Sequence, residues 1–137
     1  MAQKTGRAPQ RVPLTRDGIV AAAVAAQAAA AATPTVKVSL KEFKVLPSTK
    51  SVKAGKVTFS VKNTGKIDHE FVVIKTNVAP GKLPVKNARA SEKGSVGKVP
   101  ALKPGKSGKL TVKLAKGKYV LLCNLAAHYQ SGQYTGF

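Results

Sequence analysis

The whole stock of thiol and imidazole in this chain is one cysteine and two histidines. Cys123 ends the apolar run Tyr119-Val120-Leu121-Leu122, His128 follows it closely, and Gln133 lies a short step beyond. The other histidine, His69, stands far upstream at the head of a second apolar run, Phe71-Val72-Val73-Ile74. A thiolate and two imidazoles, with an amide a few residues past the second imidazole, are the parts of a mononuclear copper site for electron transfer. Each residue alone says less. A buried cysteine at a strand end is often simply a small hydrophobe, and a lone histidine can be a satisfied core residue. Gln133 could turn its side chain away and leave three strong ligands. Three ligands and an amide would also suit tetrahedral Zn(II). The conjunction of Cys123, His69 and His128 carries the reading. No carboxylate pair or open metal triad stands out, which argues against hydrolytic or oxygenase chemistry and for a protein that is not an enzyme.

The elements that must position these residues are strands. From Thr35 onward the apolar period is two. Val36-Lys37-Val38-Ser39-Leu40 alternates, and the parity then changes, with Phe43 and Val45 apolar around Lys44. That predicts a bulge or bend near Lys41-Glu42 that turns both apolar sets inward. Val57-Thr58-Phe59-Ser60-Val61 alternates and stops at the turn signal Asn63-Thr64-Gly65. Leu110-Thr111-Val112-Lys113-Leu114 alternates again. The continuous runs before Cys123 and after His69 suit strands covered on both faces. Many short strands with Gly/Pro turns predict an all-β fold, an antiparallel sandwich. Thr76 to Gly105, with Pro80, Pro84, Pro100 and Pro104, reads as one long loop that wraps the sandwich. A short helical turn is expected in it near Asn87–Lys93.

Residues 1–32 differ from the rest. Lys4, Arg7, Arg11 and Arg16 precede an alanine-rich run from Gly18 to Ala32 with small residues at Ala-x-Ala spacing. This is the pattern of a secretory leader that is cleaved, although Asp17 and Gln27 interrupt it. The apolar run falls short of the roughly twenty residues a spanning helix needs, so an uncleaved membrane anchor is the second choice. The expected organisation is a leader over 1–32 and one domain over 33–137, which makes the mature protein exported, periplasmic or extracytoplasmic. The full chain has 24 Lys and Arg against 5 Asp and Glu, net +19. Without the leader, 20 basic residues face 4 acidic ones, net +16. Such a surplus favours anionic partners, though lysines on outward strand positions also keep sheet edges from pairing.

His69 … Cys123-x4-His128-x4-Gln133 resembles the cupredoxin family, and more narrowly its small bacterial plastocyanin/azurin-like and sulfocyanin-like members. Matching stretches are Ala54-Gly55-Lys56-Val57-Thr58-Phe59, Asn63-Thr64-Gly65, His69-Glu70-Phe71, Leu102-Lys103-Pro104-Gly105 and Tyr119-Val120-Leu121-Leu122-Cys123-Asn124. The resemblance covers about residues 35–137. It implies a Greek-key β-sandwich holding one type-1 copper ion, with His69, Cys123 and His128 as equatorial ligands. It implies that the Glu70 backbone N–H bonds the thiolate. It also implies that His128 lies near solvent as the electron port, ringed by Leu125, Ala126, Ala127 and Tyr129. Two departures stand out. Relatives usually carry Met at the position of Gln133; Gln serves in a minority of sites, so the resemblance implies Gln133 as the axial ligand, with a lower reduction potential than a Met-ligated relative. Relatives often have Pro-Gly at Ala126-Ala127.

The resulting expectation is an exported blue-copper carrier that moves one electron between redox partner proteins with acidic docking faces, as a monomer with membrane-surface contact possible. A copper-binding carrier or homeostasis protein on the same fold is the nearest rival, but the chain has one Met and no Met/His-rich tract. A polyanion-binding module is the rival from another class. With three Tyr, four Phe and no Trp, stacking platforms for bases are scarce, and no specific nucleic-acid binding is expected.

Overall fold

A computed structural model describes residues 33–137, and the expected leader lies outside the described residues. The first described strand, β1 (Thr35–Lys41), buries Val36, Val38 and Leu40 and turns its lysines outward. It is followed by β2 (Lys44–Pro47), β3 (Gly55–Asn63) and β4 (His69–Lys75). A 3-10 turn at Pro80–Lys82 precedes the short ribbon β5 (Val85–Lys86) and β6 (Arg89–Ala90). Then come β7 (Ser95–Leu102), β8 (Ser107–Leu114), β9 (Tyr119–Leu122) and β10 (Tyr134–Gly136).

Two four-stranded sheets form, ordered β2-β1-β3-β8 and β10-β9-β4-β7. Their pairings are antiparallel except β1 with β3, which runs parallel with Val36 opposite Phe59 and Val38 opposite Val61. Between the sheets lies the main core: Val36, Val38, Leu40, Val57, Phe59 and Val61 from one side, Phe71, Val73, Val99, Tyr119 and Leu121 from the other. Burying one such side chain fully stabilises the fold by about 1.5–3 kcal/mol.

The continuous apolar runs are covered on both faces, as their composition predicts. Odd-numbered residues of β4 and β9 face the main core. Val72, Ile74, Val120 and Leu122 face the other way, into a second cluster with Leu83, Ala90 and Tyr129. The expected single loop over 76–105 is corrected: its first part lays Leu83 and Ala90 over this outer face, but Ser95–Leu102 is itself a strand of the sheet, β7. The expected helical turn near Asn87–Lys93 is not there. Asn87 and Ala88 have φ of 53° and 63°, and they close a hairpin between β5 and β6. Positive φ at both central residues matches the twist of a two-residue hairpin and excludes a right-handed helix.

The expected bulge or bend near Lys41-Glu42 is a full reversal, and it turns only part of the second apolar set inward. The chain reverses there, and β2 pairs back on β1 with Leu40 opposite Val45 and Lys41 opposite Lys44. That register sends Val45 into the core but leaves Phe43 in the turn and Leu46 at the surface. Strand β7 was not expected, because Gly97 and Pro100 break its alternation. Gly97 is needed where the sheets approach, since a Cβ there would sit 2.9 Å from Val112 Cγ1. Near Pro100 the pairing of β7 with β4 slips between His69 and Phe71. Proline has no N–H to offer the ladder, and this irregularity lies beside Glu70, whose own N–H is used elsewhere.

Candidate metal centre

Cys123 follows β9 and shares the inward parity of Leu121. It is fully buried. Its Sγ accepts the Glu70 N–H at 3.3 Å. Its own N–H donates to the Gln133 carbonyl at 3.1 Å, which extends the β9–β10 pairing past the strand end. His69 opens β4 on the same inner face and is also fully buried. His128 comes from the loop between β9 and β10, half-buried, with its N–H donating to the Leu125 carbonyl.

The sandwich brings these three donors together. Sγ of Cys123 lies 3.3 Å from His128 Nδ1 and 3.9 Å from His69 Nδ1, and the two Nδ1 atoms are 3.3 Å apart. Metal bonds of about 2.0–2.3 Å to nitrogen and sulfur span those gaps. Gln133 supplies a fourth observation. Its side chain is fully buried, its Nε2 donates to the Lys41 and Lys44 carbonyls at 3.0 and 3.2 Å, and its Oε1 is buried without a hydrogen-bond partner. A buried carbonyl oxygen left unpaired is costly unless something else binds it. The donor set and the orphaned oxygen both fit a copper ion.

The loop carrying His128 is braced from outside. The Asn124 side chain accepts the Ala90 N–H at 2.7 Å and donates to the Ala90 carbonyl at 2.9 Å and to Glu92 at 2.8 Å. Arg89 donates to the Asn124 carbonyl, and the Ala127 N–H donates to the Ala88 carbonyl. Ala127 has φ of 68°, the conformation a glycine would take freely and which costs a residue with a Cβ about 1–2 kcal/mol. The loop thus keeps its turn without a glycine at this position.

His69 is held from its far side. Its Nε2 lies 3.2 Å from Glu42 Oε1, which also accepts the N–H groups of Lys66 and Ile67 at 2.7 and 2.9 Å. Burial opposes ionisation of Glu42, but these backbone hydrogen bonds outweigh it and bring its pKa down to about 2. Burial, then the neighbouring His69, lowers the pKa of His128, against an opposing pull from the Gln133 amide, which lies near its ring but outside hydrogen-bonding geometry. Burial pushes the Cys123 thiol up, so the metal-free cysteine holds its proton until a metal displaces it.

Phe43 packs edge-on to His128, with ring centroids 5.2 Å apart and planes at 72°, and is 36% exposed. Leu125 is half-buried, and Ala126 and Ala127 are exposed around the His128 edge. Tyr129, expected in that apolar ring, instead turns into the second cluster, where its hydroxyl donates to the Pro80 carbonyl and accepts the Leu83 N–H. Phe43 takes its place beside the His128 ring. Glu42 and Phe43 carried no signal as site residues in the sequence, because each acts on the site from a turn far away along the chain.

A family model described as a cupredoxin-like domain matches residues 18–135. Among curated proteins, no sequence matches the chain. Among solved structures, the chain is similar to reduced auracyanin from Roseiflexus castenholzii at 24% identity and a TM-score of 0.57, covering 77% of this chain and 95% of that one. It is similar to auracyanin A, titled a blue copper protein, from Chloroflexus aurantiacus, at 18% identity and 0.55, covering 76% and 97%. Rusticyanin from Thiobacillus ferrooxidans matches at 16% identity and 0.54, covering 77% of each chain. At these identities the likeness shows the fold.

Proposed function

The chain belongs to the cupredoxin-like family, and from that premise we propose that it is an exported one-electron carrier. His69, Cys123 and His128 would hold a copper ion, with the Gln133 amide oxygen as a fourth ligand. Copper supplies a Cu(I)/Cu(II) couple. The residues supply the rest. Strands β4 and β9 fix His69 and Cys123 from inside the sandwich, so the donor positions change little when the charge of the centre changes. The Glu70 N–H holds the sulfur and tunes its donor strength. The half-buried His128, with Phe43 and the exposed alanines around it, gives the electron a short path to a docked partner.

The observation that carries this reading is the convergence of one sulfur and two imidazole nitrogens within 3.9 Å of one another. The orphaned Oε1 supports axial Gln133. The leader pattern of residues 1–32 supports export. The surplus of lysine supports partners with acidic faces. Transfer of copper to another protein is less favoured, because Cys123 and His69 are fully buried and an acceptor could not reach them. The test is whether Cu(II) gives the protein an intense thiolate-to-copper absorption.

A further inference from the structure

The four-residue turn joining β1 to β2 reaches three of the four proposed ligands. The Lys41 and Lys44 carbonyls hold the Gln133 amide, Phe43 packs on the His128 ring, and Glu42 meets His69. We propose that Glu42 is a positioning residue of the copper site, which fixes His69 as its Nε2–H tautomer with Nδ1 turned to the metal and whose negative charge biases the centre toward Cu(II). This rests on the copper-carrier reading above.

The argument begins with what a carboxylate can do. It only accepts, so at 3.2 Å the Nε2 of His69 carries the proton. The Nδ1 lone pair is then free, and it is Nδ1 that faces Cys123 and His128. Among the described residues, Glu42 is the hydrogen-bond partner of that buried Nε2. A carboxylate on the outer nitrogen also raises the basicity of the ligating one.

The contact is also built. Glu42 Oε1 gathers two backbone N–H groups besides His69. Gly65 leaves the room: a Cβ there would lie 2.6 Å from Oε1 and 2.7 Å from Oε2. The strand end that presents Gly65 is pinned in turn. Asn63 accepts the Gly65 N–H at 2.8 Å and donates to the carbonyls of Ile67 and Leu102 at 2.8 and 2.7 Å. A surface glutamate in passing contact would have no such socket. Removing its charge takes more from Cu(II) than from Cu(I), so the reduction potential must rise.

Two variants and two readouts decide it. In metal-free protein, nitrogen NMR of the imidazoles should show His69 as the single Nε2–H tautomer in the wild type and in Glu42→Gln, which keeps an acceptor oxygen. Glu42→Ala should give a tautomer mixture. In copper-loaded protein, Glu42→Gln should raise the potential by about 59 mV, a tenfold change in Cu(I) over Cu(II) preference for a one-electron couple. An unchanged tautomer in Glu42→Ala, or a level or lower potential in Glu42→Gln, would overturn the proposal. If Glu42→Ala does not fold, the potential of Glu42→Gln decides alone. Failure of the carrier reading would show separately, as a wild-type protein lacking the thiolate-to-copper band, and the tautomer result would still judge the placement of Glu42.

Discussion

Gln133 Nε2 donates to the Lys41 carbonyl at 3.0 Å, so the orientation of this amide is set by backbone from the opposite end of the sequence. A second bond to the Lys44 carbonyl fixes both amide hydrogens. Oε1 then has one direction left, away from the β1–β2 turn. A glutamine that served only to fill space would not need both hydrogens tied while its oxygen went unpaired.

Gln133→Met should therefore raise the reduction potential. An amide oxygen is a harder donor than a thioether and stabilises Cu(II) more. A rise of about 59 mV or more, a tenfold change in preference, is expected. The substitution also leaves the Lys41 and Lys44 carbonyls without their donor, which should lower stability by about 1–3 kcal/mol. A level or lower potential under the same conditions would mean that Gln133 is not a ligand.

Cys123→Ser should lose the coloured site and keep the fold. The hydroxyl fits the space of the thiol, and the main core between the sheets does not depend on it. Circular dichroism should match the wild type. An intense charge-transfer band surviving in this variant would defeat the ligand assignment.

The meeting of Cys123, His69 and His128 is legible in the sequence because thiols and imidazoles are so scarce here. The strands are legible wherever one face is wet, as in Val57-Thr58-Phe59-Ser60-Val61. Strand β7 is not, because Gly97 answers the close approach of Leu110 and Val112 from the other sheet, a demand made by tertiary packing alone. The Asn87-Ala88 turn offers only half a signal: asparagine tolerates positive φ and alanine does not advertise it. Glu42 is the least legible of all. It acts on His69 across a chain reversal, and no local spacing marks a carboxylate that works from 27 positions away.

Electron transfer with an acidic partner protein should slow with added salt. The domain carries 20 basic residues against 4 acidic ones, and their field is screened over about 8 Å at physiological ionic strength. Stopped-flow rates should fall by about tenfold or more between low and high salt, while a small neutral oxidant should show little change. A flat rate with the acidic partner would mean that the lysines form a solvated coat and do not steer docking.

Tyr129→Phe should destabilise the domain without changing the copper spectrum. The hydroxyl accepts the buried Leu83 N–H at 2.9 Å and donates to the Pro80 carbonyl, tying the segment before β5 to the ligand loop. Leaving that N–H unpaired costs about 1–3 kcal/mol, and each kcal/mol lowers Tm by roughly 4–8 °C in a domain of this size. An unchanged Tm would show that water replaces the hydroxyl, and a changed spectrum would show that Tyr129 bears on the site after all.

The visible spectrum of the Cu(II) protein tests the central claim most directly. A thiolate, two imidazoles and a weak axial oxygen around one copper ion should give an intense thiolate-to-copper charge-transfer band with one equivalent of metal, and reduction should bleach it. Weak absorption alone, with copper bound, would mean that Cys123 does not ligate and that this chain is not a blue-copper electron carrier.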